Sequence, residues 1–246
     1  MNTLVVIPAR LESSRLPGKP LVKINGKELI WHVRSRCQGI KGCRVVVATC
    51  NDEIIDFCRD NSWEAVMTSS RHERATDRVG ETLEILEKEK AQELDNVIMV
   101  QGDEPMVTGT SVKRIARELE SGHDIVNLVI EHSGEPDPRS NKVKVVLNRC
   151  SDIIYLSRCP IPGHVSKPAE KWYQQTGLIG FSKQGLKEFS EMEECDIEKT
   201  ESIDMNRWLF NNRKIRAVVI QEKHCSVDIP EDIVIAEAML KEEESA

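Results

Sequence analysis

The sequence predicts an α/β fold on a mostly parallel sheet, and three observations lead there. Strand-length apolar runs alternate with helix-period segments through the first half of the chain, as in a βαβ series. Runs such as Cys43–Thr49 and Asn96–Val100 are apolar on both faces, as buried parallel strands are. After Ile130 the rhythm changes to short strands and a long proline-marked loop, so a β-rich insertion is expected there.

The elements follow in order. Leu4–Ile7 is the first strand, and Pro8 is expected to stop its ladder because proline has no N–H. A loop runs to Lys19, and Asn25-Gly26 marks a turn. Leu29, Ile30, Val33 and Cys37 recur at helical spacing. Cys43–Thr49 is a strand, Asp52–Asp60 a short helix opening on a capping residue, and Glu64–Met67 a short strand. The polar segment Thr68–Arg78 leads into a helix expected over Asp77–Ala91, with Val79, Leu83 and Leu86 on one side.

Asn96–Val100 is the most apolar strand after the first, followed by a helix over Thr110–Leu119 and a strand at Ile125–Ile130. Lys142–Leu147 and Asp152–Leu156 have hairpin character. Pro160, Pro162, Gly163 and Pro168 mark a loop of about 15 residues, long enough to be suspected of function. A strand at Thr176–Phe181, a helix at Lys183–Ser190, an acidic loop at Glu191–Lys199, a helix at Ser202–Leu209, a strand at Ile215–Ile220 and a last helix at Pro230–Lys241 complete the chain, with Glu242–Ala246 a fraying tail.

The 246 residues suffice for one large domain with a sizeable core. A net charge of −7 argues against a general nucleic-acid binder, which normally carries a basic domain. No run of 18 or more apolar residues and no leader pattern is present, so no membrane association and a cytoplasmic location are expected. The eight cysteines are dispersed, with no Cys-x-x-Cys pair, and read as reduced, small buried residues.

Positive charge is concentrated in the first loop, where Arg10, Arg15 and Lys19 stand within ten residues of each other. Ser13, Ser14 and the amides around Gly18 add neutral donors to phosphate oxygens. The same composition also suits a solvated loop, but open parallel sheets bind ligands beyond the carboxyl ends of their strands. The loop is neither a Walker loop nor a Gly-x-Gly-x-x-Gly turn.

Asp103 follows the strand Asn96–Val100, and Asp228 precedes a turn late in the chain. The Asp103 segment reads either as a capping turn or as a carboxylate placed to meet a hard divalent cation shared with substrate phosphates. Two such acids could hold one Mg²⁺ between them. No nucleophile–base pair is evident, which favours displacement at phosphorus over covalent catalysis.

Six segments carry a family resemblance: Pro8–Leu21, Thr76–Arg78, Val100–Pro105, Val143–Leu147, Ser157–Pro162 and Val227–Asp232. Their residues and order resemble the CMP-Kdo synthetases, the 3-deoxy-manno-octulosonate cytidylyltransferases, over nearly the whole chain. The resemblance implies a Rossmann-like nucleotide-diphospho-sugar transferase fold, usually homodimeric, with residues 131–180 as an acceptor and dimerisation subdomain of a single domain. It implies a Mg²⁺-dependent condensation of CTP with a 2-keto-3-deoxy sugar acid, releasing pyrophosphate.

On matching positions, the resemblance assigns Arg10, Arg15, Lys19 and Asp103 to catalysis. Pro8, Ala9, Ser13, Ser14, Arg74, Ala75, Thr76 and Gln101 join the three loop cations around the nucleotide. Arg78, Gln101, Arg158, Gln175, Glu201, Asp204 and Met205 would face the acceptor, and Asp103 and Asp228 would hold the metal.

The departures are informative. Arg74-Ala75 replaces a Ser-Gly pair, Gln175–Phe181 lacks the family's His and first Tyr, and Met205 replaces a Gln. Glu201-Ser202-Ile203-Asp204 looks closer to the sialic-acid branch. Changes on the acceptor side should alter the substrate rather than weaken every substrate evenly. The acceptor reading therefore includes Kdo, a modified octulosonate, a nonulosonate and a phosphonate, and a non-catalytic nucleotide-binding module is the rival from another class.

Overall fold

The computed structural model describes residues 2–89, 94–136, 141–163, 167–222 and 224–244. β1 (Thr3–Ala9) leads through the basic loop to a 3-10 turn at Lys19–Leu21 and a hairpin of β2 (Lys23–Ile24) and β3 (Lys27–Glu28). Then come α1 (Leu29–Cys37), β4 (Cys43–Thr49), α2 (Asp52–Asp60), β5 (Ala65–Met67), α3 (Ala75–Lys88), β6 (Asn96–Val100) and α4 (Gly109–Glu120). β7 (Ile125–Ser133), β8 (Lys144–Leu147), β9 (Ile153–Ser157), β10 (Lys171–Ser182), α5 (Lys183–Glu191), α6 (Asp196–Glu201), α7 (Met205–Phe210), β11 (Ile215–Ile220) and α8 (Pro230–Glu244) follow. The chain forms two compact units, residues 1–113 with 223–246, and residues 114–222.

In the first unit the strand order is β6-β1-β4-β5, and every pairing is parallel. β1 lies inside this sheet with all seven residues buried, which explains why its run is apolar on both faces. Pro8 does not end the strand as expected, since it pairs with Ala48 and Ala9 pairs with Thr49. The reason is which edge of β1 the proline occupies. Its carbonyl faces Gly102, so its missing N–H also falls on the β6 side, where pairing has already ended at Val6.

The Asn25-Gly26 turn is confirmed, with φ of 47° and 80°, the left-handed pair that a two-residue hairpin uses. The capping residue of α2 is Asn51 rather than Asp52, and its side chain makes no cap bond because the basic loop takes it. α3 begins two residues earlier than expected and ends at Lys88; the Ala91 end of the expected helix lies outside the described residues. Leu16, Ile24, Leu29, Met106, Cys225, Val227, Ala236 and Leu240 form a core that ties the basic loop and α8 together. α8 continues to Glu244, three residues beyond the expected end.

In the second unit β7 pairs with β11 in parallel and with β10 antiparallel, while β8 and β9 form the expected hairpin against β10. β10 begins at Lys171, so the proline-marked connection is shorter than expected. Its register against β7 shifts between Gln175 and Ile179. Asn127 fills the gap, its Nδ2 donating to the carbonyls of Thr176 at 3.3 Å and Leu178 at 3.1 Å, so the irregular backbone keeps its partners.

Two expectations in this unit need correction. The acidic stretch Glu191–Lys199 is not all loop, because α6 begins at Asp196. Glu198 is fully buried and pairs with Arg207 at 2.6 Å and 2.7 Å, so it serves packing rather than solvation. The helix expected from Ser202 starts at Met205, since Ser202 is left-handed at φ 53° and ends α6.

All eight cysteines are free, and Cys37, Cys58, Cys195 and Cys225 are buried as expected, but Cys150 and Cys159 are exposed. Burial pushes the Cys37 thiol up to about 12 and the Cys58 thiol up to about 11. Among the described residues no helix is long and apolar enough to cross a membrane.

Candidate active site

The basic loop is held at both ends. Gly18 N donates to Leu11 O at 3.1 Å with Gly18 at φ 67°, a conformation that favours glycine, and Leu16 sinks into the core. Ser13 Oγ accepts from Leu16 N at 3.3 Å. Asn51 Oδ1 accepts from Leu11 N at 3.1 Å, while Asn51 Nδ2 donates to Glu12 at 3.0 Å. Arg10, Ser14 and Arg15 remain exposed on this fixed arch, whereas Pro8 and Ala9 are buried within β1.

The two acids expected to work together do converge. Asp103 follows β6, Asp228 precedes α8, and Lys19 Nζ donates to Asp103 Oδ2 at 2.6 Å and to Asp228 Oδ1 at 3.0 Å. Arg15 reaches the same Asp228 oxygen at 3.1 Å. Backbone geometry sets the approach: Val227 N donates to Asp103 O at 2.9 Å. The amides of Asp228 and Ile229 donate to Asp232 Oδ2 at 2.8 Å and 3.0 Å. Gly102 passes so near Pro8 O that a Cβ would stand 3.1 Å from it, which explains glycine ahead of Asp103.

Burial alone would push the Lys19 ammonium down, but Asp103 and Asp228 outweigh it and hold its pKa above the ordinary lysine value. Burial pushes the Asp103 carboxyl up against the pull of Lys19, and Glu104 and Asp228 add to the rise. Asp103 Oδ1 is buried and accepts no hydrogen bond among the described residues. An open carboxylate oxygen in an all-oxygen donor set fits a hard cation such as Mg²⁺. Among the described residues no group of three or more His, Cys, Asp or Glu side chains could hold a metal. The remaining ligands would be water and phosphate oxygens, as Mg²⁺ prefers.

Arg74 occupies the N-cap position of α3 without a side-chain cap bond, Ala75 is the first residue of the helix, and Thr76 is buried. Gln101 is half-buried and its carbonyl accepts from Glu104 N at 3.2 Å. Arg78, expected to face the acceptor, is instead 3% exposed. Its guanidinium donates to Thr68 Oγ1 and to Cys50 Sγ, which places it within the packing of α3.

The other acceptor-side candidates belong to the second unit. Glu201 accepts from Tyr155 OH at 2.8 Å, Ser157 Oγ at 2.7 Å and Arg158 N at 3.0 Å. Burial pushes its carboxyl up, but these donors outweigh burial and leave the pKa below the ordinary glutamate value. Arg158 donates to the carbonyls of Glu201 at 3.0 Å, Asn141 at 2.8 Å and Ser202 at 3.2 Å. Gln175 Nε2 donates to Asn127 Oδ1 at 2.8 Å, beside the β10 irregularity.

Asp204 caps α7 by accepting from Met205 N at 3.0 Å. Met205 itself is fully buried, so it is core and not the pocket wall that its position suggested. Tyr155 and Asn127 were missed because a strand tyrosine and a buried strand asparagine carry no motif signal. The buried neighbours Glu104 and His224 were missed likewise, although Glu104 sits beside a singled-out acid.

A family model described as cytidylyltransferase matches residues 4–215. The chain belongs to the cytidylyltransferase family. A curated relative, 3-deoxy-manno-octulosonate cytidylyltransferase of Thermodesulfovibrio yellowstonii, is 32% identical over 251 residues, covering 98% of each chain. A solved structure of CMP:2-keto-3-deoxy-manno-octonic acid synthetase complexed with CTP superposes with a TM-score of 0.85 at 29% identity, over 99% of this chain and 100% of that one.

The fold of this cytidylyltransferase is also found in a solved structure of much lower sequence identity. A 4-diphosphocytidyl-2C-methyl-D-erythritol synthase from Anaerococcus prevotii shares it with a TM-score of 0.60 at 14% identity, over 98% of this chain and 96% of that one. The α/β nucleotidyltransferase architecture expected from the sequence is thus the observed one.

Proposed function

We propose that this cytidylyltransferase condenses CTP with a 2-keto-3-deoxy sugar acid, Kdo (3-deoxy-manno-octulosonate) or a related ulosonate, giving the CMP-sugar and pyrophosphate. The observation that carries the reading is the convergence of Arg15 and Lys19 with Asp103 and Asp228 at the ends of a fixed basic loop. Support for the substrates comes from the names of the relatives just described.

In this reading the anomeric hydroxyl of the acid gives its proton to solvent as its oxygen forms a bond to the α-phosphorus, and the bond from that phosphorus to the bridging oxygen of the leaving pyrophosphate breaks. Arg10, Arg15 and Lys19 neutralise the triphosphate and stabilise the departing charge. Ser13, Ser14 and the loop amides orient the phosphate oxygens, while Pro8, Ala9, Arg74, Ala75, Thr76 and Gln101 bound the nucleotide. Mg²⁺ held by Asp103 and Asp228 would supply further charge neutralisation when bound.

Glu201, ordered by Tyr155 and Ser157, and Arg158 and Gln175 are the acceptor-side groups. Asp204 supports them through the α7 cap. A cytoplasmic homodimer using residues 131–180 completes the proposal.

Mass spectrometry of the product after incubation with CTP, Mg²⁺ and separately Kdo, a nonulosonate or a phosphonate tests it. A CMP adduct with Kdo or another octulosonate supports the reading. An adduct with the nonulosonate or phosphonate alone would replace the acceptor, and CTP binding without any adduct would favour the non-catalytic module.

A further inference from the structure

Asp103 and Asp228 are far apart in the sequence, yet a carboxylate pair that shares one cation must be placed to within a fraction of an ångström. Something in the fold must hold the Asp228 segment against the end of β6. One tie is the backbone bond from Val227 N to Asp103 O at 2.9 Å. The other is a side-chain contact between His224 Nε2 and Glu104 Oε2, both side chains being almost wholly buried at 7% and 5% exposure. Glu104 directly follows Asp103, and His224 lies four residues before Asp228.

The contact joins the same two segments as the backbone bond. Met106, Cys225 and Val227, close to the pair along the chain, belong to one apolar core, and both side chains of the pair are almost wholly buried. A buried acid–imidazole contact one residue from one acid and four from the other can set where those carboxylates lie, the role that outer partners of metal ligands play.

We infer that Glu104 and His224 are a positioning pair that fixes Asp228 opposite Asp103 and so sets the affinity of the site for its divalent cation. The inference rests on the reading of Asp103 and Asp228 as metal ligands. Breaking either partner leaves both segments folded around their backbone bond and core, but lets the Asp228 carboxylate drift from the distance at which one ion bridges the two acids. Substrate contacts made by the basic loop are untouched, so the nucleotide should still bind.

The test uses the full chain with Mn²⁺ as probe in the presence of CTP, the free Mn²⁺ being read by electron paramagnetic resonance. E104Q and H224Q, which keep size and polarity, should each weaken Mn²⁺ binding by about 10- to 100-fold, the range seen when an outer partner of a metal ligand is lost. CTP affinity measured without metal should change less than about twofold, and the double variant E104Q/H224Q should be no worse than the poorer single variant, because one contact is lost in all three.

Thermal unfolding runs alongside, and a merely structural pair would lower the melting temperature without this selective loss of Mn²⁺. Wild-type Mn²⁺ binding with E104Q and H224Q unchanged would overturn the positioning role alone. Absence of Mn²⁺ binding by the wild-type protein with CTP present would overturn the metal reading and the positioning role together. Additive losses in the double variant would overturn the pairing.

Discussion

Lys19 Nζ stands 2.6 Å from Asp103 Oδ2, with only 13% of the lysine side chain exposed, so this ammonium neutralises Asp103 in a nearly dry setting and leaves Asp103 Oδ1 open. It also bridges to Asp228 at 3.0 Å, which keeps two carboxylates together that would otherwise repel. Lys19 therefore holds the two acids together, and in the proposed reaction phosphate oxygens would compete for it. K19M should leave Asp103 buried and unpaired, costing about 1–3 kcal/mol of stability. It should bind Mn²⁺ without CTP more tightly than the wild-type protein, yet lose at least about 100-fold in turnover. Calorimetric titration of both proteins with Mn²⁺ alone checks the first part and a pyrophosphate assay the second.

Glu201 sets a pH dependence whose direction follows from its partners. Its pKa is lowered in the folded protein from an ordinary value of 4.5, because three donors favour the carboxylate. The stability it contributes is therefore complete above the unfolded value and is lost as pH falls through the folded one. E201Q should melt below the wild-type protein at pH 7, and the gap should close progressively below about pH 4.5. Melting curves at stepped pH measure this, and a gap that persists unchanged at low pH would remove the carboxylate from the account.

Gly180 on β10 faces α4 with no room for a side chain. A Cβ there would overlap Ile115 Cγ2 and Leu119 Cδ1, so G180A forces overpacking rather than adding useful contact. The expected cost is about 1–3 kcal/mol, or about 2–4 °C in melting temperature per kcal/mol for a chain of this size. Unfolding followed by circular dichroism provides the check, with wild-type stability as the contrary result.

What the sequence revealed about the site depended on the kind of signal. The loop cations and the two acids could be read because each stands at the end of an apolar strand or beside a turn, and the family's motif order joined them. Arg78 and Met205 were misplaced because burial depends on which face of α3 or α7 is covered, and spacing alone does not say so. Glu198 fell in a stretch that reads as an acidic loop, while its partner Arg207 sits nine residues further on and makes it a core group. Pro8 looked like a strand terminator because the sequence does not show that the β6 ladder has already ended at Val6. The Glu104–His224 contact joins residues 120 positions apart, and only the folded chain brings them together.

The central claim is that Asp103 and Asp228 form the cation-dependent heart of a cytidylyltransferase acting on a sugar acid. The most direct measurement is pyrophosphate release from CTP on adding Kdo and Mg²⁺ to the wild-type protein, D103N and D228N, with folding confirmed by circular dichroism. The account predicts release in step with CMP-Kdo for the wild-type protein and a loss of at least about 1,000-fold in each folded variant, as expected when charge stabilisation at phosphorus is removed. Wild-type turnover in either variant would contradict it.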